Sequence, residues 1–370
     1  MTESNTTAAR RIRAVRATPL DRERRRGRAV RLLVRAAEAQ PRMPVLPSGP
    51  LIALGQIDTC LLPAATPWSR DDLEGLLELM PGRPMLWRER PMSLAVSPTT
   101  AEGVDCLLAA PAHPSVRGIG TVATRAVVVG GRVLQSSAWS SVVRAGNDQR
   151  RNWSHYLSKP GVIEVISKVN AETGARLAEG FLAAGAAPAG TLDLASIVNR
   201  LLGRVRMNPH LDQNVPLQTG TTQLRWAVRI DAVQRPRVAF RLQNDTVRTV
   251  LLTVRNEDEL AQAQWFCEDL AVHDWLLTVI AAALVQSDLF DPRSDESVAV
   301  LAPVLHHLAH LWVPGAHTPR PLRMLWAQLQ EDPDFTADRQ GLIDQVRNRV
   351  LVAALDAAQR RAETKDYSPD

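Results

Sequence analysis

Lysine is almost missing from this chain. It occurs only at Lys159, Lys168 and Lys365, so 41 of the 44 basic residues are arginine. That leaves little room for Schiff-base chemistry, which needs a lysine amine. Arginine in place of lysine throughout reads as genome composition rather than functional demand. Cysteine is nearly as scarce: Cys60, Cys106 and Cys267 are odd in number and far apart. No CxxC or Cys/His pair has zinc spacing. A disulfide framework is thereby excluded, and the pattern fits thiols packed as small apolar groups in a reducing, cytoplasmic setting.

Other signatures are absent too. There is no GxxxxGK[ST], hence no P-loop, and no GxSxG elbow. The nine tryptophans are scattered, without the alternation of aromatic and basic residues that builds a single-strand nucleic-acid platform. The longest apolar run, Leu270 to Val285, is 16 residues long and holds His273 and Asp274. A bilayer span needs about 18–20 apolar residues. The expectation is a buried core helix and no transmembrane segment.

The chain has 370 residues, 45% of them apolar. Domains usually run to roughly 100–200 residues, so two are expected. The net charge of +5 hides an asymmetry. Residues 1–42 hold twelve arginines and four acidic residues, a net of +8, and the remainder holds 32 basic and 35 acidic residues, a net of −3. High overall basicity therefore belongs to an arm and does not argue that the body binds nucleic acid. The arm has no apolar h-region of a signal peptide. Residues 1–42 read as a disordered basic extension or as a start-site artefact, because Met43 opens the proline-rich MPVLPSGP. A basic helix over DRERRRGRAVRLLVRAAEAQ is the remaining reading.

The fold class expected is α+β. Residues 43–183 read as a β-rich domain, with a short helix after Ser69 and a hairpin at Gly130-Gly131. A second hairpin over Val162–Val169 and Arg176–Leu182 is suggested around Glu172-Thr173-Gly174, with a helix as the alternative. The small residues AAGAAPAG at 183–190 mark a boundary. Residues 191–362 read as an α+β domain with a helical C-terminal third. A helix from Asp193 to Arg206 leads into a three-stranded antiparallel unit at Gln223–Asp231, Arg237–Gln243 and Val247–Val254. A long helix capped by Asn256 or Asp258 runs to about Gln286, with Phe266, Leu270, His273, Leu277, Ile280 and Leu284 as its core stripe. Further helices are expected near 297–312, 320–331 and 337–362.

Few motifs carry chemistry. Gly118 to Ala123 match GxGxxA, but a strand follows where a dinucleotide site requires a helix. His306 and His310 are the metal candidates, at i,i+4 spacing with His307 between them, and the glutamate of HExxH is missing. Asp269 and His273 are the catalytic candidates, one turn apart on the long helix, where a carboxylate would orient an imidazole. The competing reading is a buried histidine with satisfied hydrogen bonds. Trp265, Trp275 and Trp312 are expected to anchor the core. No cofactor and no metal are expected.

Three segments, VRGIGTVATRAVVVGGRVLQSSA (116–138), CEDLAVHDWLL (267–277) and HLWVPGA (310–316), resemble a family of actinobacterial proteins of unassigned activity. The resemblance spans about Leu51 to the last helix. It implies a gene cluster that includes a variant P-loop, ParA-like protein, and so a nearby P-loop NTPase as a protein partner, but it assigns no functional residue. The expectation is a non-enzymatic component of a cytosolic multi-protein system, acting by protein–protein binding. The alternatives are an enzyme with a His/Asp site in the C-terminal helices, and binding of nucleic acid or an anionic membrane surface through the arm.

Overall fold

A computed structural model describes residues 49–108, 116–146, 149–166, 171–183, 189–291 and 294–366. The arm at 1–42 and the start at Met43 lie outside the described residues.

The Gly130-Gly131 pair makes the expected hairpin. It joins β5 (Val116–Val129) to β6 (Val133–Arg144), and both glycines carry positive φ, +61° and +65°. A side chain there would collide with the neighbouring loop, since a Cβ on Gly131 would stand 2.4 Å from the Trp68 carbonyl oxygen. The open end of this hairpin is split by a short strand, β7 (Val162–Val165). It runs antiparallel to β5 at Gly118–Gly120 and parallel to β6 at Ser141–Arg144. Gly118 and Gly120, the glycines of the GxGxxA match, admit it: a Cβ on Gly120 would lie 2.0 Å from the Val162 carbonyl oxygen. They serve close backbone approach within a sheet.

Around this centre the described residues build a ten-stranded mixed sheet. β1 (Pro50–Leu61) lies antiparallel to β6 on one side and to β8 (Thr222–Ile230) on the other. β10 (Val247–Val254) follows β8 in parallel, and β9 (Arg237–Leu242) closes that edge antiparallel to β10. At the other end β4 (Thr100–Leu108) and β3 (Leu94–Val96) both pair with β5, and β2 (Leu86–Arg88) pairs with β3. The three-stranded unit is thus only partly antiparallel, because β9 is displaced to the edge and β8 meets β10 directly. The turn between β9 and β10 is held by Asn244, whose Oδ1 accepts from Thr246 N and Val247 N at 2.9 Å each.

The direct β1–β8 pairing places strands from both sides of 183–190 in one sheet, and the described residues form one compact unit. The division expected at that stretch separates chain segments that share a sheet. The possible second hairpin over 162–182 is one strand, β7, followed by a helix. Leu177, Ala178, Phe181 and Leu182 recur at helical spacing and cover the sheet.

The helices are α1 (Arg70–Leu76), α2 (Trp153–Leu157), α3 (Ala171–Ala183), α4 (Leu194–Arg206), α5 (Glu257–Ser287), α6 (Asp295–His307), α7 (Met324–Glu331) and α8 (Phe335–Asp366). Caps fix several starts. Ser69 and Asp72 form a capping box for α1, Asp193 caps α4, and Asn256 caps α5. Alternation along β1 sets the layers. Ile52 and Leu54 face α3 and α4, whereas Ala53 and Ile57 face α5. α6 and α8 pack on the outer side of α5 through Ile280, Leu284, Leu301, Val304, Ile343 and Val346. α5 is apolar and long enough to cross a membrane, but 67% of its most apolar stretch is packed inside the protein.

Candidate functional site

The sheet face under α5 holds a charged cluster in the core. Arg125 of β5 donates through Nε to Glu268 Oε1 of α5 at 2.8 Å and through a second nitrogen to Oε2. Ser137 Oγ and Gln264 Nε2 each donate to Oε1 at 2.8 Å. The guanidinium carbon sits 3.9 Å from the Trp265 ring centre, and Gln135 Nε2 donates to the Glu268 carbonyl at 3.0 Å. Arg125 and Glu268 are 1% and 4% exposed. This cluster ties α5 to the sheet.

Asp269 and His273 occupy the next turn. His273 Nδ1 lies 2.6 Å from the Asp269 carbonyl oxygen, and its Nε2 accepts from Val313 N at 3.1 Å. These two bonds set the Nδ1–H tautomer and use both ring nitrogens. The ring stands edge-on to Trp312 and Trp326. Burial holds its pKa below the ordinary histidine value, against the pull of Asp269. Asp269 Oδ2 accepts from Thr318 Oγ1 at 2.6 Å and from Trp326 Nε1 at 3.2 Å. Burial pushes the Asp269 carboxyl upward. The structure therefore brings the two residues together, His273 with no exposed surface and Asp269 at 2%. The geometry is that of a satisfied core histidine, held through backbone groups.

His306 and His310 are placed differently from the sequence expectation. α6 ends at His307, and Ala309–Leu311 form a 3-10 turn, so the two are not neighbours on one α-helical face. Both are exposed. Burial, then the positive charge of Arg132, lowers the His307 and His310 pKa values. Among the described residues no three of His, Cys, Asp and Glu are grouped to hold a metal.

A large concavity lies elsewhere. A groove of about 1130 Å³ runs between the end of β9, the outer turns of α5 and the first turns of α8. Its walls are Phe240 and Leu242 from β9, Leu277, Val285 and Leu289 at and just beyond the C-terminal half of α5, and Phe335 and Leu342 from α8. Phe240 and Phe335 meet edge to face at 5.3 Å. Leu242, Val285 and Leu289 are 61%, 68% and 80% exposed. One polar pair closes the base. Arg248 Nε of β10 lies 2.6 Å from Asp274 Oδ2 of α5, an ion pair whose Nε–H is not aligned on that oxygen. Arg248 also donates to the Asn244 carbonyl at 3.0 Å and to Thr278 Oγ1 at 2.7 Å. Burial raises the Asp274 carboxyl to about 6, opposed by Arg248. Asp245 and Asp338 stand exposed on the rim.

The sequence reading singled out none of the groove residues as a binding surface: Leu277 stood there as core, Asp274 and Val285 as part of the long apolar run, and Phe240, Leu242 and Arg248 within expected strands. The one local signal is the alternation Val238, Phe240, Leu242 on an edge strand. No protein-family profile, no curated protein and no solved structure matches the chain.

Proposed function

We propose that the chain is a non-enzymatic component of a multi-protein assembly and that it holds a segment of a partner protein in this groove. The observation that carries the reading is that Leu242, Val285 and Leu289, each more than half exposed, line one groove. Exposed apolar surface of this kind marks interaction sites. The groove is larger than the roughly 300–1,000 Å³ usual for small-molecule pockets. Its lining carries three carboxylates, Asp245, Asp274 and Asp338, against the single guanidinium of Arg248. An apolar segment bearing positive charge is the complementary occupant. The titratable pair at its base is committed to itself, and His273 is sealed from it.

The test is photo-crosslinking of the full chain from position 285 in native extract, with Leu242→Asp and Leu289→Asp as comparison variants. Both substituted residues are exposed, so folding is retained. A stoichiometric protein crosslink that both variants abolish is expected. A partner retained at full strength by both variants overturns the groove as the binding surface.

A further inference from the structure

The pattern of backbone hydrogen bonds along β9 says how such a segment would bind. Gln243 N donates to Val247 O at 2.9 Å. In the β9–β10 register this makes the odd positions of β9 the hydrogen-bonded pairs, so the even positions aim N–H and C=O away from β10. The start of that outer edge is already occupied. Gln328 of α7 accepts from Val238 N at 3.1 Å and donates to the Pro236 carbonyl at 2.8 Å, standing in for a neighbouring strand. Further along, the outward groups of Phe240 and Leu242 have no protein partner among the described residues. Their side chains share a face with Val250, which packs in the core beneath α5, and both line the groove. An open strand edge and an apolar groove therefore occur side by side on the same two residues.

We infer that the partner segment is extended and adds to the sheet as a strand along Phe240–Leu242. This rests on the groove reading. Alternate side chains of an added strand lie on the face of the residues they pair with. Those opposite Phe240 and Leu242 enter the groove and must be apolar. Asp245 and Asp338 on the rim call for arginine or lysine next to them, and the lining offers no unpaired cation to oppose that charge. The occupant is thus an extended segment alternating apolar and basic residues, bound by main-chain hydrogen bonds with the groove selecting side chains.

The probe is a fluorescein-labelled hexapeptide alternating arginine and leucine, titrated into the full chain. It is compared with the same peptide N-methylated at alternate amides, in both phases. Leu242→Pro removes the outward N–H of β9 without touching its ladder to β10, and Leu242→Ala removes the side chain alone. Saturable binding of the parent peptide is expected. At least one N-methylated form should bind tenfold or more weakly, and Leu242→Pro should weaken binding at least tenfold beyond Leu242→Ala. Equal binding of parent and both methylated peptides, with Leu242→Pro equal to Leu242→Ala, overturns strand addition while leaving the groove in use. No binding of any peptide, with no effect of Leu289→Asp on partner crosslinking, overturns the groove reading as well.

Discussion

Arg125 and Glu268 meet fork to fork in the core although 143 positions separate them in sequence. The pair joins β5 to α5, and Ser137 and Gln264 complete the carboxylate's bonds. Removing one partner leaves a buried charge uncompensated, which costs about 3–5 kcal/mol. Glu268→Ala is expected to lower the urea midpoint accordingly. The double variant Arg125→Met, Glu268→Leu should recover most of the loss. A double variant no more stable than Glu268→Ala would show that charge compensation is not what the pair supplies.

Stability should fall as pH rises from about 4 to 6. Burial raises the Asp58 carboxyl to about 6, against the help of Gln56, Arg225 and Gln223. Asp274 is raised to about 6 as well. A carboxyl with a raised folded pKa binds its proton more tightly folded than unfolded. Its penalty is absent below the unfolded value near 3.8, grows through the interval and is complete above 6. Two units correspond to on the order of 3 kcal/mol per group. The raised Asp269 carboxyl adds to this trend, and the lowered His273 and His317 oppose it. Burial, then Arg88, lowers the His317 pKa from 6.5 to about 4, so its stabilisation is present above 6.5 and lost as pH falls towards 4. Asp58→Asn should raise stability at pH 7 and leave it nearly unchanged at pH 4. An equal effect at both pH values would mean that Asp58 does not titrate in this window.

Gly120 is the position at which a methyl group is expected to do most harm. Its Cβ would lie 2.0 Å from Val162 O and 2.7 Å from Ile163 Cα, both backbone atoms that cannot rotate aside. Gly120→Ala should detach β7 and cost at least about 1–3 kcal/mol of overpacking. Hydrogen exchange at Ile163 and Val165 should rise before that of β1. Gly75→Ala in α1 meets nothing within 4 Å and should be neutral to stabilising by up to about 1 kcal/mol. Equal effects of the two substitutions would rule out backbone crowding as the reason for Gly120.

The legible parts of this fold are those whose signal is local. The apolar, β-branched runs of β8 and β10, the Gly130-Gly131 turn, the Asp193 cap, the choice of Asn256 or Asp258 as the next cap and the stripe of α5 are local signals, and the elements they mark lie close to the expected places, with Asn256 as the cap. The insertion of β7 was not legible, because a four-residue strand between two others depends on glycines 43 and 47 positions from their partners in it. α3 was ambiguous because a short apolar run with Gly174 fits either period. His273 was readable as a core-stripe residue. Its ring partners were not, since Val313 lies 40 residues on. The groove was invisible for the same reason: Leu242, Leu289 and Leu342 come from three elements that only the tertiary fold brings together.

Binding in the groove should weaken on acidification, and Asp274 should be the cause. At pH 7.5 its carboxylate is ionised, and the lining carries a net of two negative charges. The charged neighbour facing it is Arg248 on β10, Thr278 bonds to its backbone carbonyl on α5, and Asp245 and Asp338 sit on the rim. Below pH 6 Asp274 takes up a proton, so one of the two net charges disappears. One unit charge about 4 Å away in water is worth about 1 kcal/mol, close to fivefold in affinity. The arginine–leucine hexapeptide should therefore bind the full chain about fivefold more weakly at pH 5 than at pH 7.5, under conditions where circular dichroism shows the chain still folded. Asp274→Asn should bind with the same reduced affinity at both pH values. Asp338→Asn should weaken binding at both and keep the pH dependence. If acidification strengthens binding in the wild-type chain, charge does not select the occupant, and the apolar wall alone must account for it.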